Sequence, residues 1–114
     1  MNYEVPEEEE FFIRGFGYSQ EYDHDEGLFS FIKSYGHDEY LVFTHSPMGQ
    51  GSVTVKLVVK GEDVFRVYKE RISQISFQTW SGQKVIRVYF SEPSDSRDFL
   101  VYYEPRPRLV CVKM

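Results

Sequence analysis

The stretch Ser52–Phe90, SVTVKLVVKGEDVFRVYKERISQISFQTWSGQKVIRVYF, constrains the fold more than any other part of the chain. Val53, Val55, Leu57 and Val59 alternate with Ser52, Thr54, Lys56 and Lys60. A repeat of two is what a strand with one buried face requires, because successive side chains point to opposite sides of the sheet. Val58 interrupts that row. Gly61-Glu62-Asp63 is a turn cluster, and Val64–Tyr68 resumes with β-branched and aromatic residues suited to a pleated, half-buried surface. Lys69-Glu70-Arg71 breaks the run. Ile75, Phe77 and Thr79 then alternate with Ser76, Gln78 and Trp80 before the turn Ser81-Gly82-Gln83. In Val85–Phe90 the apolar row is Ile86, Val88 and Phe90, with Val85, Arg87 and Tyr89 on the opposite face. A helix through Tyr68, Ile72 and Ile75 is disfavoured by the surrounding Ser, Thr and aromatic residues.

Towards the N-terminus, Phe11–Tyr18 reads as a strand in which Gly15 and Gly17 mark a bend. Leu28, Phe31, Ile32 and Tyr35 fall at helical spacing, with Asp25 and Gly36 placed as cap and stop. The same segment also reads as a strand. The strand-like Tyr40–His45 beyond the turn Gly36-His37-Asp38-Glu39 favours that reading, since together they make a hairpin. Ser46–Gly51 is a loop, Glu92–Asp98 a polar turn, Phe99–Tyr103 a strand, and Pro105-Arg106-Pro107 a stiff break before a final strand, Leu109–Val112. Prolines so near that strand suit a sheet edge, where missing donors discourage pairing with another molecule.

These elements predict a mainly β, single-domain antiparallel sheet over residues 1–114, a sandwich or partly open barrel of about 7–8 short strands with at most one or two short helices. A chain of 114 residues is long enough for one core without staples, and ten Phe and nine Tyr supply much of its volume. Cys111 is the one cysteine, so no internal disulfide is expected and a reducing compartment follows. Met1–Glu10 carries neither the basic segment nor the apolar run of a secretory signal, and no stretch reaches the length of a membrane span, which points to a cytoplasmic protein.

Charge is divided unevenly along the chain. Met1–Gln50 holds eleven acids and two bases, a net of −9, whereas the remainder holds eleven bases and seven acids, a net of +4. Such asymmetry points to a partner recognised by charge, unless the two halves neutralise each other. Glu7–Glu10 forms an acidic tetrad that reads either as a solvated, flexible leader over residues 1–10 or as a binding patch. His24-Asp25 and His37-Asp38 invite a metal or hydrolytic reading, but they lack the short spacing that puts two ligands on one face, and polar turns account for them. Cys111 within an apolar strand reads as a small core residue. Gly15-Phe16-Gly17 and Gly49-Gln50-Gly51 lack the lysine and helix of a phosphate loop. Arg66, Tyr68, Lys84, Arg87, Tyr89, Tyr102, Tyr103, Arg106 and Arg108 interleave bases with rings, as single-strand binders do. The pI of about 5.2 opposes that reading.

Tyr22-Asp23-His24-Asp25-Glu26 leading into Leu28-Phe29-Ser30-Phe31 is an acidic His-Asp turn before an apolar element. With the small size, acidity and strand-rich character of the chain, it resembles the small acidic immunity proteins of bacterial toxin–immunity pairs. That resemblance implies a non-enzymatic, cofactor-free, cytoplasmic inhibitor that blocks a basic toxin with an acidic surface. The partner-binding residues it implies are Asp23, Asp25, Glu26, Asp38 and Glu39, with Tyr22 and Tyr40 as aromatic anchors. The alternatives are a structural or oligomerising β protein of bacterial or phage origin and, third, a small metal-dependent enzyme or nucleic-acid-binding β-barrel.

Overall fold

Every alternating segment of the sequence becomes a strand, and within each of two sheets every strand pairs with the next in the chain. The computed structural model describes residues 4–91 and 97–113. In it, β1 (Gly17–Tyr18), β2 (Phe29–Ser34), β3 (Glu39–Ser46), β4 (Ser52–Val59) and β5 (Glu62–Glu70) form one sheet in sequence order. A second sheet follows in the same way from β6 (Ile72–Trp80), β7 (Gln83–Phe90), β8 (Arg97–Glu104) and β9 (Arg108–Lys113). All these pairings are antiparallel. The mainly β antiparallel class is therefore the observed one, as an open two-sheet sandwich rather than a closed barrel. The segment Leu28–Tyr35 resolves as a strand, β2, and β9 lies at a sheet edge. The Cys111 side chain, expected in the core, and Glu92–Ser96 of the expected polar turn lie outside the described residues.

The inward rows meet between the sheets. Phe31, Leu41, Phe43, Val53 and Val55 from the first sheet pack with Ile72, Ile75, Ile86, Val88, Phe99 and Val101 from the second, all buried. Each side chain of this kind contributes roughly 1.5–3 kcal/mol when fully removed from water. Val58, which interrupts the row in the sequence, faces outward with Ile32, Tyr40 and Val42 on the far side of the first sheet. The irregularity lies in its partner strand: Leu57 pairs with Phe65 and Val58 with Asp63, so Val64 is an extra residue.

The passage between sheets takes one residue. Arg71 has a φ of 64°. Its N–H donates to the Gly51 carbonyl at 2.8 Å and its own carbonyl accepts from the Ser91 N–H at 2.9 Å. The chain thus changes sheets without leaving the backbone groups of that corner unpaired.

The strand expected over Phe11–Tyr18 is corrected by the structure. Glu8–Phe12 is a short helix, α1, followed by a turn through Gly15, and Gly17–Tyr18 alone pairs as a strand. A three-residue apolar run, Phe11-Phe12-Ile13, does not by itself distinguish helix from strand. What decides is that Glu8, Glu9 and Glu10 occupy the first helical turn, where the helix dipole favours negative charge, while Phe11 is fully buried between the sheets. Ahead of α1, Glu4 pairs with the edge of β6, donating to the Ser73 carbonyl and accepting from the Ile75 N–H.

Two hairpins turn through two residues of positive φ, Lys60-Gly61 (52° and 82°) and Ser81-Gly82 (51° and 78°). The left-handed region strains a lysine by about 1 kcal/mol or more, whereas asparagine tolerates it. Lys60→Asn is accordingly expected to stabilise the fold by about 0.5–1 kcal/mol, read as a higher urea midpoint at unchanged slope.

Candidate protein-docking site

The acidic start of the chain and the His-Asp loop come together at one end of the sandwich. The loop between β1 and β2 closes on itself through reciprocal backbone hydrogen bonds of Asp23 and Leu28, both 2.8 Å. Asp23 Oδ1 accepts from the Glu26 N–H at 3.2 Å, which leaves Asp25 and Glu26 exposed at the tip. The loop is fastened to the outside of the first sheet. Ser19 Oγ donates to Ser30 Oγ, and Ser30 Oγ lies 2.7 Å from Thr44 Oγ1, both of these latter residues being buried. Lys56 pairs with Glu21.

Facing this loop, α1 presents its carboxylates. Glu8 is held by two phenols: Tyr18 donates to Oε1 at 2.9 Å and Tyr22 donates to Oε2. The same carboxylate makes loss of either phenolic proton harder, and both tyrosines titrate above the usual range. Glu10 turns away towards the second sheet, where Arg14 bonds it at 2.8 Å and lies over the Phe77 ring at 4.2 Å. Glu7 and Glu9 remain exposed.

Between α1 and the loop lies an open cleft of about 610 Å³, into which Glu7, Glu8 and Glu9 project together with the rings of Phe12, Tyr18 and Phe29 and both His24 and His45. Its lining contains no Lys or Arg. His45 comes from β3, opposite Phe29 in register, and the two rings stack at 5.3 Å and 16°. Burial lowers its pKa to about 4, with the Glu8 charge opposing that shift only in part. The imidazole is therefore neutral near pH 7, and the carboxylates set the sign of the cleft. Leu28 and Met48 are exposed beside it, so the end of the molecule combines acidic groups with apolar contact area. An apolar centre with a polar rim is the usual composition of a protein-docking surface.

The seven residues singled out from the sequence do not all gather here. Tyr22, Asp23, Asp25 and Glu26 do, and His24 carries their loop into the cleft wall. Asp38, Glu39 and Tyr40 belong to the β2–β3 turn at the other end of β2, about 20 Å away at ~3.3 Å per residue. There, Arg106 Nη2 reaches both carboxylate oxygens of Glu39, at 3.0 and 3.1 Å. Tyr40 lies against the outer face with Val42, Lys56 and Val58. Some neutralisation between the halves of the chain is thus real, through Lys56–Glu21 and Arg106–Glu39. The residues sequence reasoning did not assign to the site are Glu7, Glu8, Glu9, Phe12, Tyr18, Phe29 and His45. A usable signal was present: Pro6 followed by four acids ahead of an aromatic pair is the pattern of a helix start.

The other constellations are dispersed. His24 and His37 occupy loops at opposite ends of β2. Among the described residues no group of three or more His, Cys, Asp or Glu is placed to hold a metal ion. Of the interleaved bases and rings, Tyr103 is core, Arg106 is paired with Glu39, Lys84 lies 3.6 Å from Glu104, and Arg108 covers the Tyr102 ring at 4.1 Å. Arg66 and Tyr68 lie on a different sheet from Arg87 and Tyr89.

Fold and site together define a small antiparallel sandwich with an acidic, aromatic cleft at one end. No family model matches the sequence, and no curated protein matches it. Among solved structures, the chain is similar to one from a contact-dependent growth inhibition toxin–immunity protein complex of Klebsiella pneumoniae 342. The TM-score is 0.79 at 12% identity, covering 98% of this chain and 97% of that one. At that identity the likeness establishes the fold. Among the described residues no helix is long and apolar enough to cross a membrane.

Proposed function

We propose that this chain is the immunity member of a toxin–immunity pair, a non-enzymatic inhibitor that binds a basic toxin domain in the cytoplasm and covers the surface the toxin needs. The observation that carries the reading is the fold likeness, nearly end to end in both chains, to a chain of a toxin–immunity complex. The acidic end supplies a mechanism. A patch of one sign steers an oppositely charged partner and fixes its orientation, and the exposed rings beside it supply desolvated contact area. Tyr22, Asp23, Asp25 and Glu26 act there with Glu7 and Glu9. Asp38, Glu39 and Tyr40 join the contact where a partner spans the length of the β2–β3 hairpin, and Glu39 then exchanges Arg106 for the partner.

The test is co-purification with the product of the neighbouring reading frame, followed by charge reversal. A stoichiometric complex is expected, released by moderate salt. The double variant Glu9→Lys/Asp25→Lys is expected to weaken it at least about tenfold, mainly through slower association. Equal affinity for the reversed variant would remove the acidic end from the interface. Recovery of self-association alone would favour an oligomerising β protein.

A further inference from the structure

We propose that the cleft between α1 and the Asp23–Leu28 loop receives one arginine side chain of the protein partner, its guanidinium facing Glu8 among the rings of Phe12, Tyr18 and Phe29. The proposal rests on the docking reading and specifies what enters the site.

Three features of the cleft select this occupant. Its charge is negative throughout: Glu7, Glu8 and Glu9 line it, no Lys or Arg does, and the nearby cations Arg14 and Lys56 are engaged with Glu10 and Glu21. Its central carboxylate is preorganised, since the hydroxyls of Tyr18 and Tyr22 fix one Glu8 oxygen each and leave further lone pairs on both for a forked donor. Its walls include the rings of Phe12, Tyr18 and Phe29, against which a planar, weakly hydrated guanidinium packs better than a compact ammonium. The volume of about 610 Å³ admits the side chain together with the backbone that carries it.

The molecule already makes the same arrangement once. On the opposite side of α1, Arg14 sits 4.2 Å from the Phe77 ring centroid while bonding the Glu10 carboxylate at 2.8 Å. Glu8 and the aromatic rings that line the cleft with it offer the corresponding kinds of group.

Argininamide is the probe. Titrated into isotope-labelled protein, it is expected to shift the resonances of Phe12, Tyr18, His24 and Phe29, with lysinamide binding several-fold more weakly. Glu8→Gln keeps one acceptor oxygen for a tyrosine and turns an amide N–H donor towards the other, and is expected to weaken argininamide at least tenfold, whereas Asp38→Asn at the other end leaves it unchanged. Absence of shifts in these residues, or equal response to the two amides, overturns the proposal. The two readings fail separately. Argininamide binding here without any basic protein partner would sink the docking reading and leave the cleft assignment standing. A toxin complex indifferent to Glu8→Gln, with argininamide silent, would do the reverse.

Discussion

Phe11→Ala is expected to cost about 3–5 kcal/mol of folding stability, the range for truncating a large aromatic ring in a core. The ring is fully buried and touches both layers of the sandwich. It stacks on Phe31 at 4.1 Å and 4°, approaches Phe43 at 6.0 Å, and meets Phe77 of the second sheet edge-on at 4.9 Å. The backbone depends on it too, since the Phe11 carbonyl accepts from the N–H groups of Arg14 and Phe16 as the chain turns out of α1. Folded domains are stable by only about 5–15 kcal/mol, so this one side chain accounts for a large share of the margin. Urea unfolding followed by Trp80 fluorescence measures the loss. Phe11→Leu, which refills part of the space, is expected to lose distinctly less. A cost below about 1 kcal/mol for alanine would mean that α1 is an appendage, and the cleft it borders would then have no fixed wall.

Acid is expected to weaken the fold through His45 well before the carboxylates as a group are protonated. The side chain is 3% exposed and its pKa is lowered from 6.5 to about 4 by burial. Above pH 6.5 it is neutral both folded and unfolded and contributes no pH dependence. Between 6.5 and 4 the unfolded chain binds the proton and the folded chain does not, so stability falls as pH falls, and below about 4 the loss is complete. A difference of that size corresponds to roughly 3 kcal/mol. The measurement is the urea midpoint against pH for wild type and for His45→Phe, which keeps a ring against Phe29 and removes the titrating group. Wild type is expected to lose roughly 3 kcal/mol relative to the variant as pH falls from 6.5 to 4. Parallel curves over pH 4–6.5 would show that the imidazole titrates normally.

The sandwich was legible wherever one face of a strand is apolar and the other polar, as from Val53 to Val59 and from Val85 to Phe90. Alternation reports burial directly, and burial decides the sheet. It failed at Phe11-Phe12-Ile13, where a run of three apolar residues carries no period and the determining facts are remote in sequence: Phe31, Phe43 and Phe77 form the cavity that Phe11 fills. The acidic site was half legible. Asp25 and Glu26 announce themselves as a charged turn, but nothing local places Glu8 within reach of Tyr18 and Tyr22, ten and fourteen positions later. Likewise, charge counting puts Glu39 with the acids, and only the structure places Arg106 beside it.

The order of the strands bears on how the molecule is made. Because each strand within a sheet pairs with the one before it, both sheets are expected to grow hairpin by hairpin as the polypeptide leaves the ribosome, at the modest search cost of neighbouring segments. The exception is the segment synthesised first. Glu4 and Phe11 wait for β6 to arrive before either meets its partners there, so the acidic rim is expected to take its final shape only once more than half of the chain has been translated.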